Sequence, residues 1–232
     1  MALSDRELAD RHKYRLLSGE IAVSITHVCG LLDLGKSAAF AGAAAKLTRQ
    51  GLNYRAEWKA KADRGTRVHG HFESFLRGED IEVLDEDAGF VDALERAMLE
   101  LDLVPLLIEQ PVISELGYGG RPDLVAGVRN RGVGVVELKT GREDPVNHSL
   151  QLAAQRFSDG AAEFDDAGML IGVTPLPSID FAAALYAFEN GSYRFVEYPA
   201  DERAFVVFCA LLEAWKWTCS EEMSALTKEA KK

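Results

Sequence analysis

Two carboxylates and an ammonium group cluster in the stretch GYGGRPDLVAGVRNRGVGVVELKTG, Gly117 to Gly141. Asp123 follows Pro122, and after thirteen residues come Glu137, Leu138 and Lys139. Segments rich in Val and Leu flank a polar turn at Arg129 to Gly132, which predicts a buried β-hairpin of strands 118–128 and 132–140. A period of two sends Glu137 and Lys139 to one face. Charged groups among Val and Leu are costly to bury unless they pair with one another or hold a cation. The residue types fit phosphodiester hydrolysis. The carboxylates of Asp123 and Glu137, with the Leu138 carbonyl, can hold a hard divalent ion, while Lys139 can orient or deprotonate a water or stabilise developing charge. A plain salt bridge from Lys139 to Glu137 or Asp123 is the alternative.

The surrounding elements must position this cluster. Residues 53–76 read as a long helix that delivers His69, with Gly65 and Thr66 small enough for a close approach to a strand. A lone helical His is otherwise structural or exposed. Glu73 shares the His69 face, either beside the site or on the helix surface, and His71 points elsewhere, toward solvent. An acidic first turn opens a helix over 85–103, which Pro105 stops. The first core strand spans 106–115 and carries Glu109, which is either a further acidic site residue or an edge charge. A helix from Asn147 to about Glu163 sets Gln151 and Gln155 one turn apart on one face, an exposed polar pair if they serve no site. A short strand at 169–174, a hairpin of 181–189 with 193–198 across Asn190-Gly191, and an apolar helix at 204–218 with packed Trp215 and Trp217 complete the domain. The last residues, 220–232, form a polar tail.

A 232-residue chain, 47% hydrophobic and 27% charged, can build one compact domain. No run approaches a membrane span and the N-terminus lacks an apolar core segment, so a soluble, cytoplasmic protein is expected. Its three cysteines form no CxxC pair and cannot supply the four thiolates of an iron–sulfur cluster. The formal net charge is -11, yet residues 1–69 hold 12 basic against 7 acidic side chains. Between Lys46 and Arg67 a basic stripe includes Arg55 and Lys59, with Tyr54 and Trp58 interleaved. Such a stripe either tracks a phosphate backbone and stacks a base, or is a solvated helix face.

One motif competes. Gly30 to Ser37, GLLDLGKS, satisfies the phosphate-loop pattern and would make the chain an NTPase. Leu31, Leu32 and Leu34 fall at helical spacing, which favours a short buried helix over an anion cradle.

Pro122-Asp123 followed by Glu137-Leu138-Lys139 resembles the signature of the PD-(D/E)XK nuclease superfamily, in its RecB-type or phage exonuclease branch. Gly65-Thr66-Arg67-Val68-His69 upstream, Gly120-Arg121 before the Pro-Asp pair, and Gln151 downstream follow the family's order. Ser24-Ile25-Thr26 before a Leu-rich helix is similar too, and the likeness covers residues 12–155. It implies an α/β fold with a restriction-endonuclease-like core, a mixed sheet flanked by helices. The expected single domain is 1–219, with a mainly helical part at 1–104 and the sheet core at 105–219. It further implies a metal-dependent DNA exonuclease of phage or bacterial recombination and repair, acting in the cytoplasm of a bacterial cell or infected host. Rival readings are an endonuclease of the same fold and a noncatalytic DNA-binding relative. His69 takes the place of a metal ligand beside Asp123, Glu137 and Leu138, with magnesium or manganese as cofactor and calcium as inhibitor. Gln151 orients Lys139 or a phosphate; Gln155 stands where the family has Tyr. Arg55, Trp58, Lys59 and Arg121 are the expected DNA contacts, Arg121 otherwise pairing elsewhere. DNA is the implied partner, with room for a recombination protein such as a single-strand annealing protein.

Overall fold

The computed structural model describes residues 3–220, apart from the side chains of residues 34–38, together with Met223. The chain opens with α1 (Asp5–Asp10), β1 (Tyr14–Arg15), β2 (Ile21–Ser24) and α2 (Ile25–Cys29). A 3-10 helix over Gly30–Lys36 leads into α3 (Ser37–Arg49), α4 (Tyr54–Arg77) and, after a 3-10 turn at Asp85–Asp87, α5 (Ala88–Leu101). Strands β3 (Val104–Ile108), β4 (Val112–Ser114), β5 (Tyr118–Gly120), β6 (Leu124–Val128) and β7 (Gly132–Lys139) follow. The remainder is α6 (Pro145–Arg156), β8 (Gly160–Phe164), β9 (Leu170–Thr174), β10 (Phe181–Ala187), β11 (Tyr193–Glu197) and α7 (Glu202–Thr218).

These elements make a mixed α/β fold with two sheets, one of order β1-β2-β5-β4-β8-β9 and one of order β11-β10-β7-β6-β3. Each mixes directions: β2 runs parallel to β5, and β10 parallel to β7, with the other pairs antiparallel. The chain passes between sheets at two points that apolar patterning does not reveal. The strand expected over 106–115 breaks between β3 and β4, where Glu109 has φ 49° and Pro111 has no amide to donate. The strand expected over 118–128 breaks between β5 and β6, at Arg121-Pro122-Asp123. The β6–β7 hairpin forms as its pattern predicts, turning through Asn130 and Gly132, both at positive φ.

One face of the five-stranded sheet packs Leu124, Val136, Leu138 and Leu185 against Val68 and Phe72 of α4 and Phe90 and Leu94 of α5. The other packs Val125, Val135, Ala184 and Tyr186 against Leu152 and Ala153 of α6. The six-stranded sheet lies tight against the N-terminal elements. A Cβ on Gly119 would come within 2.5 Å of the Tyr14 ring, and one on Gly120 within 2.5 Å of Ile25 Cδ1. The glycine pair ahead of Arg121 therefore lets β5 sit against β1 and α2 and sets where Asp123 emerges.

Several expectations need correction. The region before residue 104 is not purely helical, since β1 and β2 join the six-stranded sheet. Helix α6 stops at Arg156, and the segment to Glu163 becomes β8, paired with β4 and β9. At Gly160 a Cβ would lie 2.2 Å from the Thr174 carbonyl oxygen, a closeness only a Gly-containing strand permits. Trp217 is exposed, whereas Trp215 packs on the α2–α6–α7 cluster. The phosphate-loop segment is a 3-10 helix entered from α2 rather than an open loop entered from a strand, so it lacks the cradle geometry that the NTPase reading needs. The expected tail lies almost wholly outside the described residues. Among those described, no helix is long and apolar enough to cross a membrane.

Helix α4 is fixed at both ends and in the middle. The Asn53 side chain accepts hydrogen bonds from the amides of Arg55 and Ala56, and Gly78 closes the helix at φ 68°. Arg67 donates to Asp87 from Nε at 2.7 Å and from Nη2 at 3.0 Å. Hydrogen bonding from Arg67 holds the fully buried Asp87 carboxyl below its ordinary pKa. A depressed carboxylate contributes stability at neutral pH that is lost as pH falls through its folded-state pKa. Asp87→Asn is expected to lower the melting temperature by a constant amount above about pH 4. That difference should shrink on further acidification, as thermal unfolding across a pH series would measure.

Candidate active site

The cleft of about 480 Å³ between α4, α6 and the seam of the two sheets gathers most of the residues singled out by the sequence. His69, Asp123, Glu137, Lys139, Gln151 and Arg121 all line it, along with Glu109, Gln155, Tyr14, Ser24 and Thr26. Their convergence follows from the two sheet-to-sheet passages. Glu109 sits at the end of β3 and Asp123 at the start of β6, and the Glu109 amide donates to the Asp123 carbonyl at 3.1 Å. Both carboxylates thus stand at strand breaks, where side chains are not committed to either pleat.

Asp123 is buried and held from two sides. Its Oδ1 lies 3.1 Å from His69 Nδ1, and its Oδ2 accepts the Leu138 amide at 2.6 Å. Glu137, 3% exposed, accepts the Lys139 ammonium at 2.9 Å on Oε2 and the Gln155 amide at 2.5 Å on Oε1. Lys139 Nζ also donates to Gln151 Oε1 at 3.3 Å. The salt bridge between Lys139 and Glu137, the alternative the sequence left open, is present, and both residues line the cleft.

Charge in this volume is unevenly compensated. Burial works against ionising Glu137, and Asp123 nearby adds to it, so its pKa is raised. Burial and the Asp123 charge push Glu109 up to about 8. Asp123 goes the other way: burial opposes its charge, but His69 and Lys139 outweigh it and hold the carboxyl below the ordinary range. Lys139 is kept above its ordinary pKa, against its burial, by Glu137 and Asp123. His69 is likewise raised against burial by the Asp123 carboxylate. Three carboxyl groups therefore meet one ammonium, one imidazole and the Arg121 guanidinium, and Glu109 is the one held mainly protonated at neutral pH.

His69, Glu109 and Asp123 each offer one ligand atom, and these atoms lie within 4.8 Å of one another. One imidazole with two carboxylates is a donor set that could hold a divalent cation. Glu109 was open between site and edge in the sequence, and it belongs to this group. Glu137 lies outside this group, its two oxygens bound to Lys139 and Gln155. Leu138 reaches Asp123 through its amide hydrogen.

Other expectations resolve individually. Gln155 is 1% exposed and bound to Glu137, so Gln151 and Gln155 are no surface pair. Nothing in the apolar pattern of α6 separates a buried Gln from an exposed one. His71 is not solvent-facing: it lies largely buried, its Nε2 3.7 Å from Asp87. Glu73 pairs with Arg77 and lines a second cleft of about 600 Å³ that meets the first at Asp10, Glu109 and Arg121. Arg121 pairs with Asp10 at 2.5 Å at that junction. Arg55, Trp58 and Lys59 lie on the outer turns of α4, beyond the cleft lining, and Lys59 pairs with Asp63. Arg67 and Arg64 are turned inward, to Asp87 and Glu86 and to Phe90 and Glu189, which shortens the basic stripe.

Because Gln155 is the sole amide donor on Glu137 Oε1 among the described contacts, its loss should be felt in the metal-free protein. Gln155→Leu, which keeps the volume, is expected to cost about 1–3 kcal/mol in denaturant unfolding in EDTA. An unchanged midpoint would remove the buried bond from the account of the site. No protein-family model and no curated protein matches this chain, so the chemistry of the cleft stands on these side chains and their geometry.

Proposed function

We propose that this chain is a metal-dependent deoxyribonuclease that hydrolyses phosphodiester bonds at DNA ends, built on a restriction-endonuclease-like core of the PD-(D/E)XK type. The observation that carries it is the buried grouping of Asp123, Glu137 and Lys139 in an open cleft, with His69 and Glu109 adding ligand atoms. Grouping three carboxyl groups in one cleft is costly even with the donors around Asp123 and Glu137, and a bound cation would offset that cost. His69, Glu109 and Asp123 are the residues that would hold the ion. When bound, a divalent ion neutralises charge developing on the phosphate and lowers the cost of bringing an anionic substrate to three carboxylates.

The chain's own groups supply the rest. Lys139 is held in place by Glu137 and Gln151, with the remaining hydrogen-bonding capacity of its ammonium directed to the cleft. There it orients the attacking water and offsets negative charge on the phosphate oxygens. Gln155 and Lys139 fix the Glu137 carboxylate so that it can accept a proton from that water. Gln151 keeps the ammonium from collapsing fully onto Glu137. Arg121, paired to Asp10 at the edge of the cleft, is placed to exchange that partner for a backbone phosphate. Recombination and repair, a bacterial or phage-infected cytoplasm, and a single-strand annealing partner belong to this reading and follow from the resemblance.

Linear DNA labelled at each end, incubated with magnesium or manganese, should lose label and yield short products, and EDTA should stop the reaction. Glu137→Gln and Lys139→Ala are each expected to lower the rate by at least about 100-fold with folding largely intact by circular dichroism. Cleavage of covalently closed circles would make the enzyme an endonuclease. Binding without products, unaffected by metal, would make it a noncatalytic DNA-binding relative.

A further inference from the structure

The outer half of α4 is built unlike the rest of the molecule. The helix runs from Tyr54 to Arg77, yet its first buried residue is Val68. Its first three turns therefore project past the core, accompanied by α3, and the two together expose rings. Phe40 is 53% and Trp58 37% exposed. The Trp58 ring meets Phe40 at 6.3 Å and Tyr54 at 5.2 Å, in both cases edge to face. Trp58 thus contacts both other rings while it and Phe40 stay exposed and Tyr54 is half-buried, so the cluster orients its rings without forming a core. Around them Lys46, Arg49, Arg55, Lys59 and Lys61 are exposed, and Arg55 donates from Nε to the Tyr54 hydroxyl at 3.2 Å.

The position of the rings relative to the cleft is set by helical periodicity. Ala62, Gly65, Thr66 and His69 line the cleft, and Trp58 lies four residues before Ala62, on the same helical face. Anything that leaves the cleft along α4 meets Trp58 next. The offset from His69 to Trp58 is about 16 Å along the axis at the helical rise. A stacked strand covers that span in about five nucleotides.

We propose that Phe40, Tyr54 and Trp58 form a base-stacking subsite for an unpaired nucleic-acid strand, on the face of α4 that carries His69 into the cleft. This deepens the nuclease reading and rests on it for the identity of the ligand. Exposed rings take up the flat faces of bases irrespective of sequence, and the surrounding cations hold the phosphates between them. In a duplex those faces are covered by neighbouring base pairs, so the subsite selects single-stranded or frayed ends.

The chain has three tryptophans, and with Trp215→Phe and Trp217→Phe only Trp58 remains to report. In calcium, oligothymidylate of about ten nucleotides should quench its fluorescence saturably, while a blunt hairpin duplex should not. In the otherwise unaltered chain, Trp58→Ala should weaken binding of labelled oligothymidylate roughly tenfold and Trp58→Phe by less. Strands shorter than about five nucleotides should bind Trp58→Ala and the parent alike. Equal quenching by the duplex, no loss on Trp58→Ala, or a loss independent of strand length would each overturn the subsite. Outcomes for the two readings separate: cleavage unaffected by Trp58→Ala, with unchanged affinity, sinks only the stacking subsite. Saturable, length-dependent stacking without cleavage keeps the subsite and removes the nuclease.

Discussion

The structure depends on burying the carboxylates of Asp123 and Glu137 within reach of each other. Two such groups in a low-dielectric interior repel, and each also loses its hydration. The chain meets this by giving every oxygen a donor. Asp123 receives His69 and the Leu138 amide, and Glu137 receives Lys139 and Gln155. The donors come from α4, β7 and α6, so the three elements that cover the sheet seam are tied together through the site itself. Glu109 is left over, pushed up to about 8 by its burial and by Asp123. On the proposed reading, a divalent ion would displace the Glu109 proton and take that carboxylate as a ligand.

The location of that charge follows from sheet topology. A regular strand alternates its side chains and would send Asp123 and its neighbours to fixed faces. Both acidic residues that approach His69 stand instead at interruptions, Glu109 ahead of Pro111 and Asp123 after Pro122. Proline withdraws an amide from the ladder at each point, and the chain crosses from one sheet to the other there. The glycines of β5 permit the crossing to occur flush against Tyr14 and Ile25. The cleft is in this sense the place where the sheets part, lined by the residues that part them.

Much of this was legible in the sequence, and the limits have physical causes. Period-two spacing placed Glu137 and Lys139 together, and the helix read over 53–76 matches α4 within a residue at each end. Both signals are local. Apolar runs through 106–115 and 118–128 carried no mark of a change of sheet, because the residues on both sides of each break are apolar; in the sequence only the prolines register it, and in the structure the φ of Glu109 does. For the same reason Glu109 was ambiguous. Its role is a product of tertiary proximity to residues 14 and 40 positions away, Asp123 and His69. Helix α6 was drawn too long since Ala161, Ala162 and Glu163 suit a helix as well as a strand, and pairing with β4 decided the matter. Arg64 and Arg67 counted toward a basic stripe until their partners, Glu189, Glu86 and Asp87, were known.

That subtraction sharpens the electrostatic argument. A chain of net charge -11 repels nucleic acid as a whole, and the long-range part of that repulsion is screened within about 10 Å at moderate salt. On the proposed reading, attraction must then come from a compact surface close to the strand. The outer turns of α4 and the facing α3 fit that description, since they retain exposed cations and rings after the inward-facing arginines are removed. Their attachment is rigid. Val68 and Phe72 anchor the same helix in the core, and Arg67 ties it to Asp87 one residue away from Val68. His69 lies next to that anchor, so the distance between the ring cluster and the ligand atoms is fixed by one continuous helix rather than by a loop. On the proposed reading, a strand held at one end of α4 would arrive at the other in a defined register, the geometric condition for cutting at a fixed distance from where it is gripped.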